Sequence, residues 1–517
     1  MPPSLPQAVT VPPFSPSQWT AIDALGQQID RTLMQAKVGL TMGGKPTYVL
    51  APSQTNPQWQ SQALGDDKRR IAGELLVRLQ ARLDHSGTLR HYGLGKLYSE
   101  EALPHWALGC FWRSDGQPLW RNGDLLLADR QTPADSWQSA ENFATELATC
   151  LAISPEFIMA AYELGEKEPV GFVLPLLTTR SVHSLGWQSC RWSKFEQGMI
   201  LLPGDAEVGL RLPLDQLTAA DVLLEEALPE FTSPPIRPEQ VSKPAATDSI
   251  RLALVVAMER GAVQVFLPPI ASVRSFADIV TAIEATAEVL DQPICLGGYG
   301  PPQNSGIRGF RIVPNADALE VNIYPAESWR SLVHIHSQLD EEAIACGLTS
   351  ERYRSNGQTL STGGAHITIG GATPAASPLL RRPDLLRSFI TYWQRHPSLS
   401  YGFAGQDIGP TSPSPRVDEA RHDSLYELEL AFLALTPGHP VAPARVNRLL
   451  SLFLRDAAGN AHRTELCIDK LHPADNVSQQ LGLLKFRGFA MPPQTGLRLL
   501  QMLLLRALVA WFWGSDI

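Results

Sequence analysis

The stretch RLALVVAMERGAVQVFL, residues 251–267, decides the fold class, because two apolar runs flank a short polar turn. The runs at 251–258 and 261–267 predict two strands that the turn joins as a hairpin. Directly downstream, residues 275–290 carry apolar side chains at helical spacing. Hairpins mixed with long helices favour an α+β fold, with a mostly antiparallel sheet flanked by helices.

The same two patterns recur outward from this hairpin along the chain. Residues 38–50 read as a glycine-interrupted strand, and residues 91–121 are aromatic-rich and strand-like. Further strands are predicted at 309–313, 318–323, 366–369, 463–468 and 481–486, and helices at 17–35, 66–83, 140–151, 328–347, 385–396, 418–435 and 495–513.

One segment stands out as a break in this organisation. Residues 229–248, PEFTSPPIRPEQVSKPAATD, contain five prolines and few apolar side chains, which predicts a linker or an insertion. It would separate an N-terminal part, 17–228, from a C-terminal part, 249–517, that carries most of the candidate site. Residues 1–16 are Pro-rich and predict a flexible tail.

Composition narrows the class of protein. The 517 residues include 43 Lys and Arg against 52 Asp and Glu, a net charge of −9, which argues against a dedicated nucleic-acid binder. Six cysteines are few for this length, which fits a reducing compartment. None forms a C-x-x-C pair, which argues against a zinc-ribbon or thioredoxin-type site. The most apolar stretch, 497–513, is short and is interrupted by Arg498 and Arg506, so it predicts a buried helix. We therefore expect a cytoplasmic protein without a membrane or nucleic-acid partner.

Two short motifs resemble catalytic signatures but favour structural roles. GLTMGGKP, 39–46, nearly matches a phosphate-binding loop, yet Pro46 stands where a hydroxyl should hold Mg²⁺, so a strand with a tight glycine turn is favoured. GCFW, 109–112, places Cys110 beside aromatic residues. A thiol enzyme is one hypothesis for Cys110, but no basic residue is evidently placed to activate the thiol, and a packed strand cysteine is favoured.

Two strand motifs carry candidate metal ligands. In LEVNIYP, 319–325, alternation puts Glu320 and Asn322 on one face, and their oxygens are ligands that suit Mg²⁺. The alternative is a solvated strand face. In STGGAHITIGGAT, 361–373, glycines flank the short strand that carries His366, so its backbone can approach a ligand or another strand. His366 is either a functional or a structural histidine.

Arginines on neighbouring segments form a second candidate set. RVDEARHDSLYELE, 416–429, places Arg416 and Arg421 either in a phosphate or carboxylate clamp or in ion pairs on a helix surface. In HRTELCIDK, 462–470, alternation predicts one face that carries Arg463, Glu465, Cys467 and Asp469, as an ion pair or as an anchor beside a metal ligand. In LKFRGFAMPP, 484–493, Lys485 and Arg487 share a face, which suits an anionic site or a solvated edge strand.

Several long segments together resemble one family. These are VGLTMGG (38–44), PHWALGCFWRSDGQPLWR (104–121), LEVNIYPAESW (319–329), IGPTSPSPRVDEARHDSLYELEL (408–430), GNAHRTELCIDKLH (459–472) and FRGFAMPP (486–493). The chain is similar over about residues 30–513 to the bacterial amidoligase domain, which is often fused behind a transglutaminase-like domain. The resemblance implies the glutamine synthetase and glutamate–cysteine ligase fold. It also implies a carboxylate–amine ligase that uses ATP and Mg²⁺ to form an amide through an acyl phosphate.

The resemblance also assigns expected roles to the candidate residues. The substrates of such a ligase would be a small-molecule or peptide carboxylate and an amine. The expected metal ligands are Glu320, Asn322, His366 and Glu465, and the expected phosphate-binding and catalytic residues are Arg416, Arg421, Arg463 and Arg487.

Departures from the family pattern support an alternative. The family usually carries Glu where this chain has Lys45, and acidic residues where it has Gly300, Lys485 and Ala490. A protonated lysine cannot ligate Mg²⁺ and repels it. The alternative is therefore a degenerate, non-catalytic subunit that binds a separate transglutaminase-like or ligase protein. In that case we expect the Lys45 ammonium to pair with Glu320 or Glu465 in place of the metal.

Overall fold

The structure is a computed structural model of the 517-residue chain. It describes residues 13–51, 56–83, 87–97, 101–127, 136–180, 185–217, 244–302, 306–353, 359–404, 409–420, 424–439, 441–474 and 480–515. Most of the predicted tail, most of the predicted linker at 229–248, and Arg421 lie outside these residues.

The chain divides into two compact units, each of which is described here by itself. The first unit contains residues 1–68 and 315–517, and the second contains residues 69–314. The helix Asp66–Leu83 begins in the first unit and continues in the second. The predicted division at 229–248 remains a prediction.

The first unit is built from strands and helices drawn from both ends of the chain. Its described strands are Thr41–Lys45, Thr47–Leu50, Leu319–Asn322, Leu348–Thr349, Glu351–Tyr353, Thr359–Ser361, His366–Gly370, Leu466–Cys467 and Leu484–Phe486. Its described α-helices, apart from the shared one, are Pro16–Gln35, Trp329–Ala345, Pro378–Arg381, Asp384–Arg395, Pro397–Phe403, Val417–Ala420, Ser424–Leu433, Pro443–Leu450 and Thr495–Gly514.

A four-stranded antiparallel sheet lies at the centre of this unit. Its strand order is Thr41–Lys45, His366–Gly370, Leu484–Phe486 and Leu466–Cys467. Because side chains alternate along a strand, the sheet has two different faces. One face packs into the hydrophobic core through residues that include Met42, Ile367, Ile369, Leu466, Leu484 and Phe486. The opposite face carries polar side chains and is the candidate site.

Helices from the two ends of the chain pack against this core. The first helix begins at Pro16, where Ser15 and Gln18 form a capping box, and it buries Ile29 and Leu33. Among the described residues, Thr495–Gly514 is the helix long and apolar enough to cross a membrane, and 56% of its most apolar window is buried. Its Arg506 donates to Asp30 of the first helix at 2.6 Å. The helix is therefore packed into the unit, as its sequence predicts.

The second unit is built mainly from β-strands. Its described strands are Leu89–Leu94, Trp106–Arg113, Met159–Tyr162, Gly171–Pro175, Leu177–Arg180, Leu185–Gln188, Met199–Ile200, Ala253–Glu259, Ala262–Leu267, Ile294–Gly298 and Ile307–Pro314. Its described α-helices are Trp137–Cys150 and Val273–Leu290, besides the remainder of Asp66–Leu83.

The predicted hairpin forms the middle of the larger sheet in the second unit. Ala253–Glu259 pairs antiparallel with Ala262–Leu267 on one side and with Gly171–Pro175 on the other. The parallel pairs are Ala262–Leu267 with Ile294–Gly298, and Met159–Tyr162 with Met199–Ile200. The helices Trp137–Cys150 and Val273–Leu290 bury their apolar faces in the same core cluster as this hairpin.

The α+β class with mostly antiparallel sheets and helices is confirmed, and most predicted elements lie within a few residues of their expected bounds. Two strand predictions need correction. The strand expected at 38–50 is divided into Thr41–Lys45 and Thr47–Leu50 around Pro46. The strand expected at 463–468 is only Leu466–Cys467, because the Arg463 amide donates to Asn460 in a turn.

A buried histidine predicts acid sensitivity of the second unit. His91 is 2% exposed, and burial, with the nearby Arg311 charge, lowers its pKa to about 3. Between this pKa and the ordinary value near 6.5, the unfolded chain binds a proton that the folded chain does not. The free energy of unfolding should therefore fall on acidification, by about 1.4 kcal/mol per pH unit below pH 6.

Urea denaturation of the wild type and of His91→Gln between pH 4.5 and 7 measures this dependence. The difference in unfolding free energy between the two proteins should shrink toward acid pH, because the variant lacks the histidine that is penalised there. His439→Gln, at an exposed position, is the control and should follow the wild type. Parallel curves for wild type and His91→Gln would contradict the prediction.

Candidate functional site

The polar face of the four-stranded sheet includes Lys45, His366, Thr368, Lys485 and Cys467. Its membership follows from the register: Lys45 lies opposite His366, Thr368 opposite Lys485, and Cys467 opposite Lys485. Residues directly opposite each other on antiparallel strands share a face. Gly43 lies opposite Thr368, and a Cβ at Gly43 would lie 2.8 Å from the Thr368 hydroxyl, so glycine allows the two strands to pair here.

Glu320 meets this face from the strand Leu319–Asn322. The Lys45 Nζ atom donates to Glu320 Oε1 at 2.9 Å, with 20% and 13% of the two side chains exposed. Asn322 Nδ2 donates to the same oxygen at 3.0 Å, which confirms that Glu320 and Asn322 share a face. The pairing of Lys45 with Glu320, expected for the non-catalytic alternative, is therefore present.

Positive charge dominates the electrostatics around Glu320. Burial opposes ionisation of its carboxyl group, but Lys45 and Lys485 outweigh burial, so the pKa of Glu320 is lowered. Lys485 is 9% exposed, and burial together with the charges of Lys45 and Arg487 lowers its pKa to about 7. This carboxylate is thus held ionised by the neighbouring lysine ammonium groups.

Glu465 belongs to a different local arrangement. Its side chain is 3% exposed, and Oε1 accepts a hydrogen bond from Trp393 Nε1 at 2.8 Å. Burial raises the pKa of Glu465, although Ser400, Trp393 and Arg416 stabilise its charged form. The backbone amide of Glu465 donates to Pro415, so this residue is not part of the strand that alternation predicted.

Arg416 lies beside Glu465, and its buried guanidinium is hydrogen-bonded to neighbouring side chains. It is 3% exposed, its Nε donates to Asp418 at 2.9 Å, and its Nη1 donates to Ser400 at 2.7 Å. Its Nη2 donates to Gln394 at 3.0 Å. This is the ion-pair alternative, although the guanidinium is buried rather than on a helix surface.

The other candidate arginines are distributed differently. Arg463 is 45% exposed, and its Nε lies 3.7 Å from Asp456. Arg487 is half-buried and acts electrostatically on Lys485, and its buried Nε has no hydrogen-bond partner among the described residues. Arg421 lies outside the described residues. Of this set, Arg487 is therefore the residue that the structure places near the polar face.

The side chains do not fit a Mg²⁺ ion shared by Glu320, Asn322, His366 and Glu465. Glu320 is paired with Lys45, and Glu465 accepts from Trp393. Among the described residues, the ligand atoms of three His, Cys, Asp or Glu side chains come within 4.8 Å of one another at His462, Cys467 and Asp469, and not at the predicted set. The individual roles of the predicted ligands and arginines stay predictions.

The two motifs for which a structural role was favoured, around Cys110 and around Lys45, both lie in strands. Cys110 lies in the strand Trp106–Arg113, is 1% exposed, and has its pKa raised to about 12 by burial. A thiol with that pKa is protonated at neutral pH and is not an activated nucleophile. Lys45 of the near phosphate-binding loop ends the strand Thr41–Lys45, and Pro46 follows it.

Comparison with protein families supplies a match over nearly the whole chain. A family model described as "Putative amidoligase enzyme" matches residues 6–167, 164–235 and 224–517. The chain belongs to this amidoligase family. No curated protein and no solved structure gives a match. Membership supports a ligase-like function in general terms, while the glutamine synthetase-like fold expected from the resemblance stays an expectation.

Proposed function

We propose that this chain is a non-catalytic member of the amidoligase family whose polar face binds an anionic carboxylate or phosphate ligand. The observation that carries the proposal is the 2.9 Å ion pair between Lys45 and Glu320. The ammonium group supplies positive charge where the family pattern implies a carboxylate and a metal ion. Such a chain keeps a ligand-binding surface without Mg²⁺-dependent amide formation.

Electrostatic repulsion supports the loss of metal binding. A Mg²⁺ ion on Glu320 would lie within about 4 to 5 Å of the Lys45 ammonium, which costs about 7 kcal/mol at an effective dielectric constant near 20. That penalty corresponds to about five powers of ten in affinity. The positive charge of Lys485 adds to this repulsion, since Lys485 is close enough to lower the pKa of Glu320.

The remaining cationic groups favour an anion. Lys485 and Arg487 act on each other electrostatically, and the buried Arg487 Nε has no partner among the described residues. A guanidinium beside an ammonium suits the planar oxygens of a carboxylate or the oxygens of a phosphate. ATP is the natural probe, because the family resemblance implies a nucleotide. The cellular role would be that of a subunit beside a separate transglutaminase-like or ligase protein.

Calorimetric titration of the full chain with ATP, with and without Mg²⁺, tests this proposal. We expect similar affinity under both conditions, and a loss of about tenfold or more in Lys485→Met, because an ionic hydrogen bond is removed. Lys194→Met, at an exposed lysine of the second unit, is the matched control and should bind like the wild type. Absence of ATP binding under both conditions would overturn the proposal for a phosphate ligand.

The catalytic ligase is the second candidate, and one observation favours it. Glu320 and Asn322 lie side by side on one face, and their side-chain oxygens are hard ligands that suit Mg²⁺. If ATP binds tightly only when Mg²⁺ is present, the non-catalytic proposal is wrong, and substrate searches with carboxylates and amines should follow.

A further inference from the structure

Three side chains of different chemistry converge at one edge of the four-stranded sheet, beside the strand Leu466–Cys467. The ligand atoms of His462, Cys467 and Asp469 all lie within 4.8 Å of one another. His462 Nδ1 is 2.8 Å from Asp469 Oδ2. None of these residues is among the metal ligands or arginines that the family resemblance implies.

Local structure explains the convergence. Asp456 and Asn460 hold the preceding turn, since Asp456 Oδ1 accepts from the Asn460 amide at 2.8 Å and Asn460 Oδ1 accepts from the His462 amide at 2.9 Å. The turn places His462 beside the strand Leu466–Cys467, and Asp469 lies two residues after the end of that strand. The histidine is thus placed by backbone contacts, and not only by its contact with Asp469.

One oxygen of this group has an unfilled bonding capacity. Asp469 Oδ1 is buried and has no hydrogen-bond partner among the described residues, and only 11% of the side chain is exposed. A buried carboxylate oxygen without a donor is costly, and a bound cation would satisfy it. His462 is 69% exposed, so the cluster is reached from solvent on the histidine side.

We propose that His462, Cys467 and Asp469 form a binding site for Zn²⁺. Nitrogen, sulfur and oxygen donors together suit Zn²⁺, whereas Mg²⁺ prefers oxygen ligands alone. Three protein ligands leave a fourth tetrahedral position for water or another small ligand on the exposed side. The thiolate and carboxylate charges together neutralise the divalent ion.

Two groups near the cluster oppose metal binding and set its strength. Burial and the charge of Asp469 raise the pKa of the Cys467 thiol to about 12, and the thiol donates to the Ala461 carbonyl at 3.2 Å. Zn²⁺ must therefore displace the thiol proton, as it does in other thiolate sites. Lys485 lies opposite Cys467 and repels a cation when it is protonated. Substituting Lys485 by methionine should therefore strengthen Zn²⁺ binding while weakening ATP binding, so the Zn²⁺ inference does not depend on the anion proposal.

The experiment uses the reduced full chain after chelator treatment, titrated with Zn²⁺ and separately with Co²⁺ as a spectroscopic probe. We expect one equivalent of Zn²⁺ to bind, with Kd in the micromolar range or tighter, and Co²⁺ to show a thiolate charge-transfer band. Cys467→Ser should lose that band, and His462→Ala should weaken Zn²⁺ binding by about 100-fold or more. Excess Mg²⁺ should not displace Zn²⁺.

Controls separate this site from other cysteines and from misfolding. Cys150→Ser, in the second unit, should keep the charge-transfer band and the Zn²⁺ affinity. His462→Ala changes a mostly exposed side chain, so it tests the site where Cys467→Ser perturbs packing. Lack of Zn²⁺ binding by the wild type would overturn the inference, and so would wild-type affinity in both His462→Ala and Cys467→Ser.

Discussion

Lys45→Glu should raise the affinity of the chain for Mg²⁺ by at least about 100-fold, because it replaces a repulsive charge with a hard oxygen ligand. In the wild type, the ammonium is 2.9 Å from Glu320, the carboxylate that a metal would need. In the variant, two carboxylates would face the same point, beside the Asn322 amide. Isothermal titration with Mg²⁺ alone measures the change without reference to any catalytic activity.

Two further variants make this result interpretable. Lys45→Met removes the repulsion without adding a ligand and should fall between the wild type and Lys45→Glu. Combining Lys45→Glu with Glu320→Gln should return the affinity toward that of Lys45→Met. Equal Mg²⁺ affinity in wild type and Lys45→Glu would show that the ammonium is not what prevents metal binding.

Arg498→Met should destabilise the first unit by about 3–5 kcal/mol, the usual cost of leaving one member of a buried ion pair without its partner. Arg498 is 2% exposed, and its Nη2 donates to Asp340 at 2.9 Å. Its Nε donates to His336 Nδ1 at 2.9 Å, and Asp340 also accepts from Tyr48 and Thr495. Removing the guanidinium leaves the Asp340 carboxylate without the cation with which it is paired in the wild type.

Urea denaturation of the full chain, followed by tryptophan fluorescence, measures this loss. Arg330→Met, at an exposed arginine of the helix Trp329–Ala345, is the matched control and should change the unfolding free energy by no more than about 0.5 kcal/mol. The double variant Arg498→Met with Asp340→Leu should recover part of the loss, because neither charge is then left alone. A loss in Arg498→Met no larger than that in Arg330→Met would contradict the prediction.

The fold was predictable where local patterns are strong. The hairpin at 251–267 and the helices Asp66–Leu83 and Thr495–Gly514 follow from periodicity that no distant contact overrides. Residues 463–465 were mispredicted as part of a strand that is only Leu466–Cys467. The Arg463 amide donates to Asn460 in a local turn, and the Glu465 amide donates to Pro415, a contact that depends on how the chain returns on itself.

The candidate site was predictable to a similar degree. Spacing alone predicted that Glu320 and Asn322 share one face. The presence of Lys45, where the family usually carries Glu, predicted the ion pair with Glu320 that the structure contains. The burial of Arg416 against Ser400 and Gln394 could not be predicted from sequence, because it depends on how the segment that carries Arg416 packs against the two helices that precede it. The His462 and Asp469 contact was missed for a related reason, since a turn and not strand alternation brings the two together.

The ion pair between Arg506 and Asp30 has a consequence for biosynthesis. The two residues are separated by 476 positions, and the first unit takes its chain from both sides of the second. During translation, residues 16–68 leave the ribosome long before their packing partners exist, whereas the second unit can be made without interruption. At about 5–20 residues per second, roughly 25 to 95 s of synthesis separate Asp30 from Arg506. For that interval the nascent chain exposes apolar surface such as Ile29 and Leu33, which makes it a substrate for chaperones that act during translation.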